Sequence, residues 1–280
     1  MIKESALSTT HACETLDMCK STYYAWQLRV PSSKSEETLR QTMHDIAQEF
    51  PGYGYRRITA ELHRQKVAVN HKKILRLMRE EKILCKRKSF KPQTTNSNHN
   101  LQLYPNLTHN LAVLRPNQCW VSDITYIHLE NGFVYLASIL DLFGRKCVGW
   151  EMSRRIDATL AIVALEKAIA QRAMIGFNGL IHHSDRGVQY CSHKYIELLT
   201  QHGILISMTQ TGNPRENAFA ESFFKTLKVE EVYLKEYKTF EEAYHNIQRF
   251  IEDVYNEKRL HSSIGYKTPN EMEAEVLNIS

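Results

Sequence analysis

At 280 residues, 42% hydrophobic and 24% charged, the chain has room for a core domain and one or two small modules. No stretch nears the ~18 apolar residues of a membrane span, and Met1-Ile2-Lys3-Glu4-Ser5 lacks the apolar run of a signal peptide, so a membrane role is not expected. The net charge of +5 is uneven: residues 1–100 hold 18 Lys+Arg against 10 Asp+Glu and the other 180 hold 18 against 21, so the front third is the part suited to a polyanion.

Residues 8–29 read as two short helices around a turn at Asp17-Met18, with Ser8 or Thr9 capping the first and Ser21 the second. This is a helix-turn-helix-like segment over 1–31, although a plain helical hairpin fits the same pattern. Pro31-Ser32-Ser33-Lys34-Ser35 is a break. Leu39, Met43, Ile46 and Ala47 then recur at helical spacing up to Pro51-Gly52. Another helix is expected from near Tyr55 through Ile58 and Leu62, and Asn70 is placed to cap a third. In that third helix Ile74, Leu75 and Met78 are expected to face inward, and Lys72, Lys73, Arg76 and Arg79 mostly outward. A basic helix after two others suits a DNA groove, and a solvated basic face is the alternative. Cys85-Lys86-Arg87-Lys88 would supply a wing, which makes 35–90 a winged-helix-like DNA-binding module. The composition then turns polar (Pro92, Thr94, Thr95, Asn96, Ser97, Asn98), a linker over 91–110. The front, about residues 1–95, is therefore expected to bind DNA without the rest.

Residues 111–275 follow a different pattern. Gln118–Glu130 reads as a strand, Asn131-Gly132 as a hairpin turn, Phe133–Leu142 as a second strand and Lys146–Met152 as a third. Asp157 is placed to cap a long helix whose buried face holds Ala161, Ile162, Leu165 and Ile169. A short strand over Leu180–Ser184, a helix over Ser192–His202, a strand over Leu205–Thr209 and a long helix from Pro214 to about Tyr233 complete the series. Three antiparallel strands, then helix, strand, helix, strand, helix is the order of the ribonuclease H-like fold, an α+β or α/β core behind helical helix-turn-helix-type modules. The six cysteines are scattered with no CxxC pair, which fits a reducing cytoplasm rather than disulfides or structural zinc.

Three carboxylates stand out. Asp123 lies within Trp120-Val121-Ser122-Asp123-Ile124-Thr125-Tyr126-Ile127, where a charge needs compensation by a cation or donors, unless it sits at an edge in water. Asp185 follows an apolar strand at the strand-end position where ligands gather, with Gly187 permitting a tight turn. Glu221 shares a helix face with Asn217, Lys225 and Lys228, which taken alone is ordinary helix decoration. Two strands and a helix can bring the three to one point. An all-oxygen set selects Mg²⁺, with Mn²⁺ as a substitute, and two ions about 3.5–4 Å apart would serve phosphodiester chemistry. His182 and His183 are adjacent on a strand and so face opposite ways, which argues against a shared zinc. Lys225 and Lys228 are placed to hold DNA phosphates beside the metals. No GxxxxGK[ST] motif is present, so ATP-driven chemistry is not expected.

At these residues the chain resembles the second-frame transposases of the insertion-sequence-three family, relatives of retroviral integrases. The resemblance rests on Pro51-Gly52-Tyr53-Gly54-Tyr55-Arg56-Arg57-Ile58, on Asp141-Leu142-Phe143-Gly144-Arg145 and Val148-Gly149-Trp150, and on His183-Ser184-Asp185-Arg186-Gly187-Val188-Gln189-Tyr190. It continues through Glu216-Asn217-Ala218, Glu221-Ser222-Phe223-Phe224-Lys225-Thr226-Leu227-Lys228, Tyr255-Asn256-Glu257-Lys258-Arg259-Leu260-His261 and Thr268-Pro269. The 35 residues between Asp185 and Glu221 match the family's DDE spacing. Glu216 stands where many relatives have Asp, and Gly144 where many have Ser.

The resemblance implies an integrase-like catalytic core with Asp123, Asp185 and Glu221 as catalytic metal ligands. It implies Mg²⁺-dependent cleavage at the 3′ ends of a bacterial element and joining of those ends to target DNA, by a homo-oligomer acting at the nucleoid in the cytoplasm. It also implies that the chain corresponds to the second frame, with an upstream-frame protein or fused segment as a partner in end recognition. A nuclease of the same fold and a DNA-binding regulator without catalysis are the competing readings.

Overall fold

In a computed structural model, which describes residues 8–15, 17–21, 23–24, 33–84, 101–210 and 217–277, the chain divides into two compact units, Met1–Glu49 and Phe50–Ser280. The first contains α1 (Thr9–Thr15), started by Ser8 accepting the His11 N–H at 3.3 Å, and α2 (Ser33–Glu49), which buries Leu39, Met43 and Ile46. α2 begins at Ser33, within the expected break, because the helix-breaking effect of Pro31 acts on its own N–H and on the residue before it. Of the second short helix, expected from Ser21 through Tyr23, Tyr24 and Trp26, the described residues Ser21, Tyr23 and Tyr24 are helical, while Trp26 and the wing at 85–88 lie outside the described residues.

The larger unit opens with two helices. α3 (Tyr55–Arg64) buries Ile58, Thr59 and Leu62. α4 (His71–Glu80) is capped by Asn70, whose side chain accepts the Lys72 N–H at 2.8 Å. Its buried residues are Ile74, Leu77 and Met78. The expectation of Leu75 inward is corrected to Leu77, since i, i+3 and i+4 share a helix face and i+1 does not. Lys72, Arg76 and Arg79 are exposed and Lys73 half-buried, with Arg76 3.7 Å from Glu80.

Five strands form one sheet in the order β3-β2-β1-β4-β5: β1 Cys119–Leu129, β2 Gly132–Asp141, β3 Lys146–Ser153, β4 Ile181–Ser184 and β5 Leu205–Met208. The first three are antiparallel, turning at Asn131-Gly132, while β4 pairs parallel to β1 and β5 parallel to β4. Parallel pairs need a crossover. α5 (Ala158–Arg172), capped by Asp157 on the Leu160 N–H at 3.1 Å, provides the first, and α6 (His193–Gln201) the second. This is the ribonuclease H-like core of the expectation. In α5 Ala164 and Ala168 are buried and Ile162 is only half-buried, because small residues let the helix lie close to the sheet.

Central strands covered on both faces are apolar on both, which is why β1 lacks a polar alternation. Trp120 and Ile124 join α5 and α6 on one face, with Leu165 and Leu199. Val121, Ile127 and Leu129 join the other, against Phe223 and Leu227 of α7 (Ala218–Glu230). Two elements were not foreseen. α8 (Phe240–Arg249) runs on as a π-helical turn over Phe250–Asn256, and α9 (Pro269–Leu277) follows. Asn256 substitutes for a neighbouring strand at the sheet edge: its amide accepts the Cys147 N–H at 3.0 Å and donates to the Cys147 carbonyl at 2.9 Å. Thr268 and Glu271 make a reciprocal capping box at the start of α9, with bonds of 3.2 and 2.9 Å and Pro269 in the first turn.

Candidate active site

Asp123 and Asp185 meet through strand register. β1 and β4 pair in parallel at Trp120↔His182 and Val121↔His183. Asp123 stands two residues beyond the last pair on β1 and Asp185 two beyond it on the other chain segment, just past the end of β4, and the two are near enough for the Asp185 charge to act on Asp123. Each also turns a carboxylate oxygen to a nearby backbone N–H: Asp123 to Ile124 at 2.8 Å, Asp185 to Gly187 at 2.9 Å. A Cβ on Gly187 would stand 2.9 Å from the Asp185 oxygen and 3.0 Å from Gln189 Oε1, so glycine is what lets the turn fold onto the carboxylate.

α7 brings the third carboxylate. Its first turn is tied to β1 by Asn217, whose amide donates to the Ser122 carbonyl at 3.4 Å. Glu221, exposed and one turn on, is near enough for its charge to act on Asp123. Burial first, then Asp185, and less strongly Glu221, push Asp123 up to about 8. The charges of Asp185 and Glu221 thus favour the protonated form of buried Asp123, which is the electrostatic condition a divalent cation relieves. All the ligating atoms such a cation would meet here are oxygens, which fits Mg²⁺ or Mn²⁺. Among the described residues no three Asp, Glu, His or Cys side chains stand close enough to hold an ion without some movement.

The two histidines face opposite sides, as expected. His182 shares a 2.9 Å hydrogen bond with the Tyr195 hydroxyl, and burial and the neighbouring His183 push it down to about 3. His183 bonds Ser207 Oγ through Nδ1 at 2.8 Å. Both serve packing between β4 and its neighbours. Two further groups near the carboxylates were not singled out from the sequence. The buried Tyr190 phenol is pushed up by burial, then by Tyr195, Asp123 and Asp185. Tyr126 carries Lys228 Nζ 4.5 Å over its ring. Both lie in stretches quoted from the sequence, Tyr126 beside Asp123 and Tyr190 at the end of the motif after Asp185, but a tyrosine letter alone does not show what its ring faces.

Lys225 is exposed, as expected, but Lys228 is half-buried, not the freely exposed position that the helix pattern suggested. Its ammonium lies over the Tyr126 ring, and burial lowers its pKa while Asp123 opposes that shift. Lys228→Met keeps the stem and removes the charge. End-DNA binding should weaken and its salt slope fall by about one, the signature of one lost phosphate contact. An unchanged slope in an anisotropy titration across a KCl series would reduce Lys228 to packing. Lys72, Lys73, Arg76 and Arg79 all lie on α4 and are not part of this carboxylate site.

Residues 114–214 and 202–269 match the family described as Integrase core domain, and residues 34–90 match an HTH-like domain. The chain is 38% identical over 263 residues to the Insertion element IS600 uncharacterized 31 kDa protein of Shigella sonnei, covering 92% of this chain and 95% of that one. It is 36% identical over 249 residues to the transposase for insertion sequence element IS904 of Lactococcus lactis, covering 88% and 98%. With the transposase InsF for insertion sequence IS3A of Escherichia coli the identity is 32% over 277 residues, covering 96% and 95%.

Proposed function

The chain belongs to the IS3-type insertion-sequence transposases with an integrase core, and on that premise we propose that Asp123, Asp185 and Glu221 hold Mg²⁺ for cleavage of an element's 3′ ends and their joining to target DNA. The observation that supports this reading is the β1–β4 pairing, which brings the chain segments of Asp123 and Asp185 together, with the charges of Asp185 and Glu221 both acting on Asp123. When bound, a pair of Mg²⁺ ions supplies Lewis acids for the attacking hydroxyl and the leaving oxygen. The chain's own part is positional. Asp123 and Asp185 would supply carboxylate oxygens to such a cation, and its charge would favour the ionised form of Asp123. Asn217 keeps the start of α7 on β1, and Lys228 adds a positive charge for phosphate beside the carboxylates. The terminal repeats and the target are the DNA partners, with a homo-oligomer as the working form and an upstream-frame protein as a further partner.

The test uses the full chain with pre-cut ends taken from the DNA flanking its gene. Joined product should form with Mg²⁺ or Mn²⁺, while Ca²⁺ should support binding and little chemistry. Hydrolysis without joining would favour the nuclease reading, and full activity in EDTA or with zinc alone would sink the metal assignment.

DNA grip is assigned to α4. Lys73→Ala and Arg76→Ala should each lower the salt slope of binding by about one if they contact phosphate, and relax preference for the ends if they contact bases. The full chain is the right object here, since Tyr53, Arg57 and Arg64 bond to residues 260–271. Equal affinity of wild type and both variants for end and random duplexes at every salt would remove α4 from the interface.

A further inference from the structure

The segment Gly52–Arg57 stands well before Asp123, Asp185 and Glu221 in sequence, yet Tyr53 and Arg57 bond the backbone next to Arg259, which holds the last residue of the helix that carries Glu221. Tyr53, 2% exposed, accepts the Leu260 N–H on its hydroxyl at 2.7 Å. Arg57 Nε donates to the Leu260 carbonyl at 3.0 Å. Both backbone groups of one buried residue are thus satisfied by two side chains four positions apart. The neighbouring Arg259, also 2% exposed, makes a bidentate pair with Glu230, both bonds 2.7 Å. Glu230 is the last residue of α7.

Gly52 closes this arrangement. A Cβ there would stand 2.2 Å from Glu230 Cγ, and Glu230 cannot swing aside without breaking its fork with Arg259. A second route reaches the middle of the same helix. The Tyr255 ring lies edge-on to His261 at 4.8 Å and edge-on to Phe223 at 4.8 Å, and Phe223 is two residues from Glu221. Residues 52–57 therefore hold α7 at its end directly and along its buried face through residues 255–261.

We propose that Gly52, Tyr53, Arg57 and Arg259 are positioning residues for DNA cleavage and joining, a clamp that sets where Glu221 stands relative to Asp123 and Asp185. The inference rests on the reading of Glu221 as the third metal ligand. The clamp segment leads straight into α3, which packs on the basic α4, so DNA seated on α4 is connected to the placement of Glu221 through a few rigid contacts. The chemistry demands such control, because a displacement of about 1 Å far from the reacting atoms is enough to lower a rate on the order of a hundredfold.

The test measures joining of pre-cut ends by full-length Gly52→Ala, Tyr53→Phe and Arg57→Lys as a function of Mn²⁺. Expected is a joining rate at saturating DNA lower by at least about tenfold, with the Mn²⁺ half-saturation raised by about tenfold. End-DNA binding and melting temperature should stay close to wild type in Arg57→Lys, which keeps the charge and loses only the planar donor. A merely structural role would reduce the active fraction without moving the Mn²⁺ half-saturation, and that result, like unchanged kinetics, would overturn the proposal. If Gly52→Ala does not fold, Arg57→Lys carries the test. Glu221→Gln, run alongside, separates the two readings: an active Glu221→Gln protein removes the metal-site assignment and this inference with it, whereas an inactive one beside fully active clamp variants removes this inference alone.

Discussion

Asp123→Asn, Asp185→Asn and Glu221→Gln each lower cleavage and joining by more than about a hundredfold, since losing even an outer partner of a metal site costs 10–100-fold, while end-DNA binding is retained. Each substitution keeps the shape of the side chain and removes one negative charge, and the three contributions act on the same cation pair. For Asp123 a second, opposite effect is expected on stability. Its folded pKa, about 8, lies above the 3.8 of an ordinary aspartate, so the native state keeps a proton that the unfolded chain releases. Stability of the metal-free protein therefore falls as pH rises from about 4 to about 8. Asparagine cannot ionise, so metal-free Asp123→Asn should melt several degrees above wild type at pH 8 and by a smaller margin at pH 5. Mn²⁺ should raise the wild-type melting temperature most at the alkaline end and leave Asp123→Asn little changed. Near-normal joining by any of the three variants, or a melting temperature of Asp123→Asn below wild type at pH 8, would contradict the site as described.

Arg172→Met is expected to be the most damaging single change remote from the carboxylates, with a loss of about 3–5 kcal/mol, the range for removing one partner of a buried ion cluster. Arg172 is 2% exposed and bonds Glu273 of α9, with Asp141 3.9 Å away. Lys146 reaches Glu273 at 3.0 Å. Asp141, at the end of β2, is fully buried and accepts the N–H groups of Asn117 at 2.7 Å and Phe143 at 3.0 Å, and its carboxyl is nonetheless pushed upward by burial. Without the guanidinium, Asp141 and Glu273 remain in the interior, with Lys146 paired to Glu273. Arg172→Met/Glu273→Leu should recover part of the loss, because removing both partners leaves fewer stranded charges than removing one. Urea unfolding of the two variants decides the matter: a loss under about 1 kcal/mol for Arg172→Met, or no recovery in the double variant, would show that the cluster does not hold α9 to the sheet.

The Asp141-Leu142-Phe143-Gly144-Arg145 motif, part of the family resemblance, thus has a structural use at its first residue. The same holds for Tyr255-Asn256 and Arg259-Leu260-His261, which pack on Phe223, complete the edge of β3 and close on Glu230. Sequence resemblance identified these stretches without distinguishing chemistry from scaffolding, because a buried arginine and a surface arginine are the same letter.

What the sequence determined by itself is local. The Asn131-Gly132 turn, the Asn70 and Asp157 caps, the strands on either side and the helical repeat of α5 depend on neighbours within a turn or a pleat, and these were legible. The three carboxylates are proposed as the site through the family's motifs and spacing. Only the tertiary structure decided that the segments of Asp123 and Asp185 lie side by side, since parallel register is set by the packing of α5 and the crossover, not by either strand. It likewise decided that Leu77 rather than Leu75 is buried, that Lys228 leans on Tyr126, and that Tyr53 and Arg57 serve Leu260 across the length of the chain. Such contacts join residues far apart in sequence, and their energy comes from burial and from pairing of polar groups that no local pattern records.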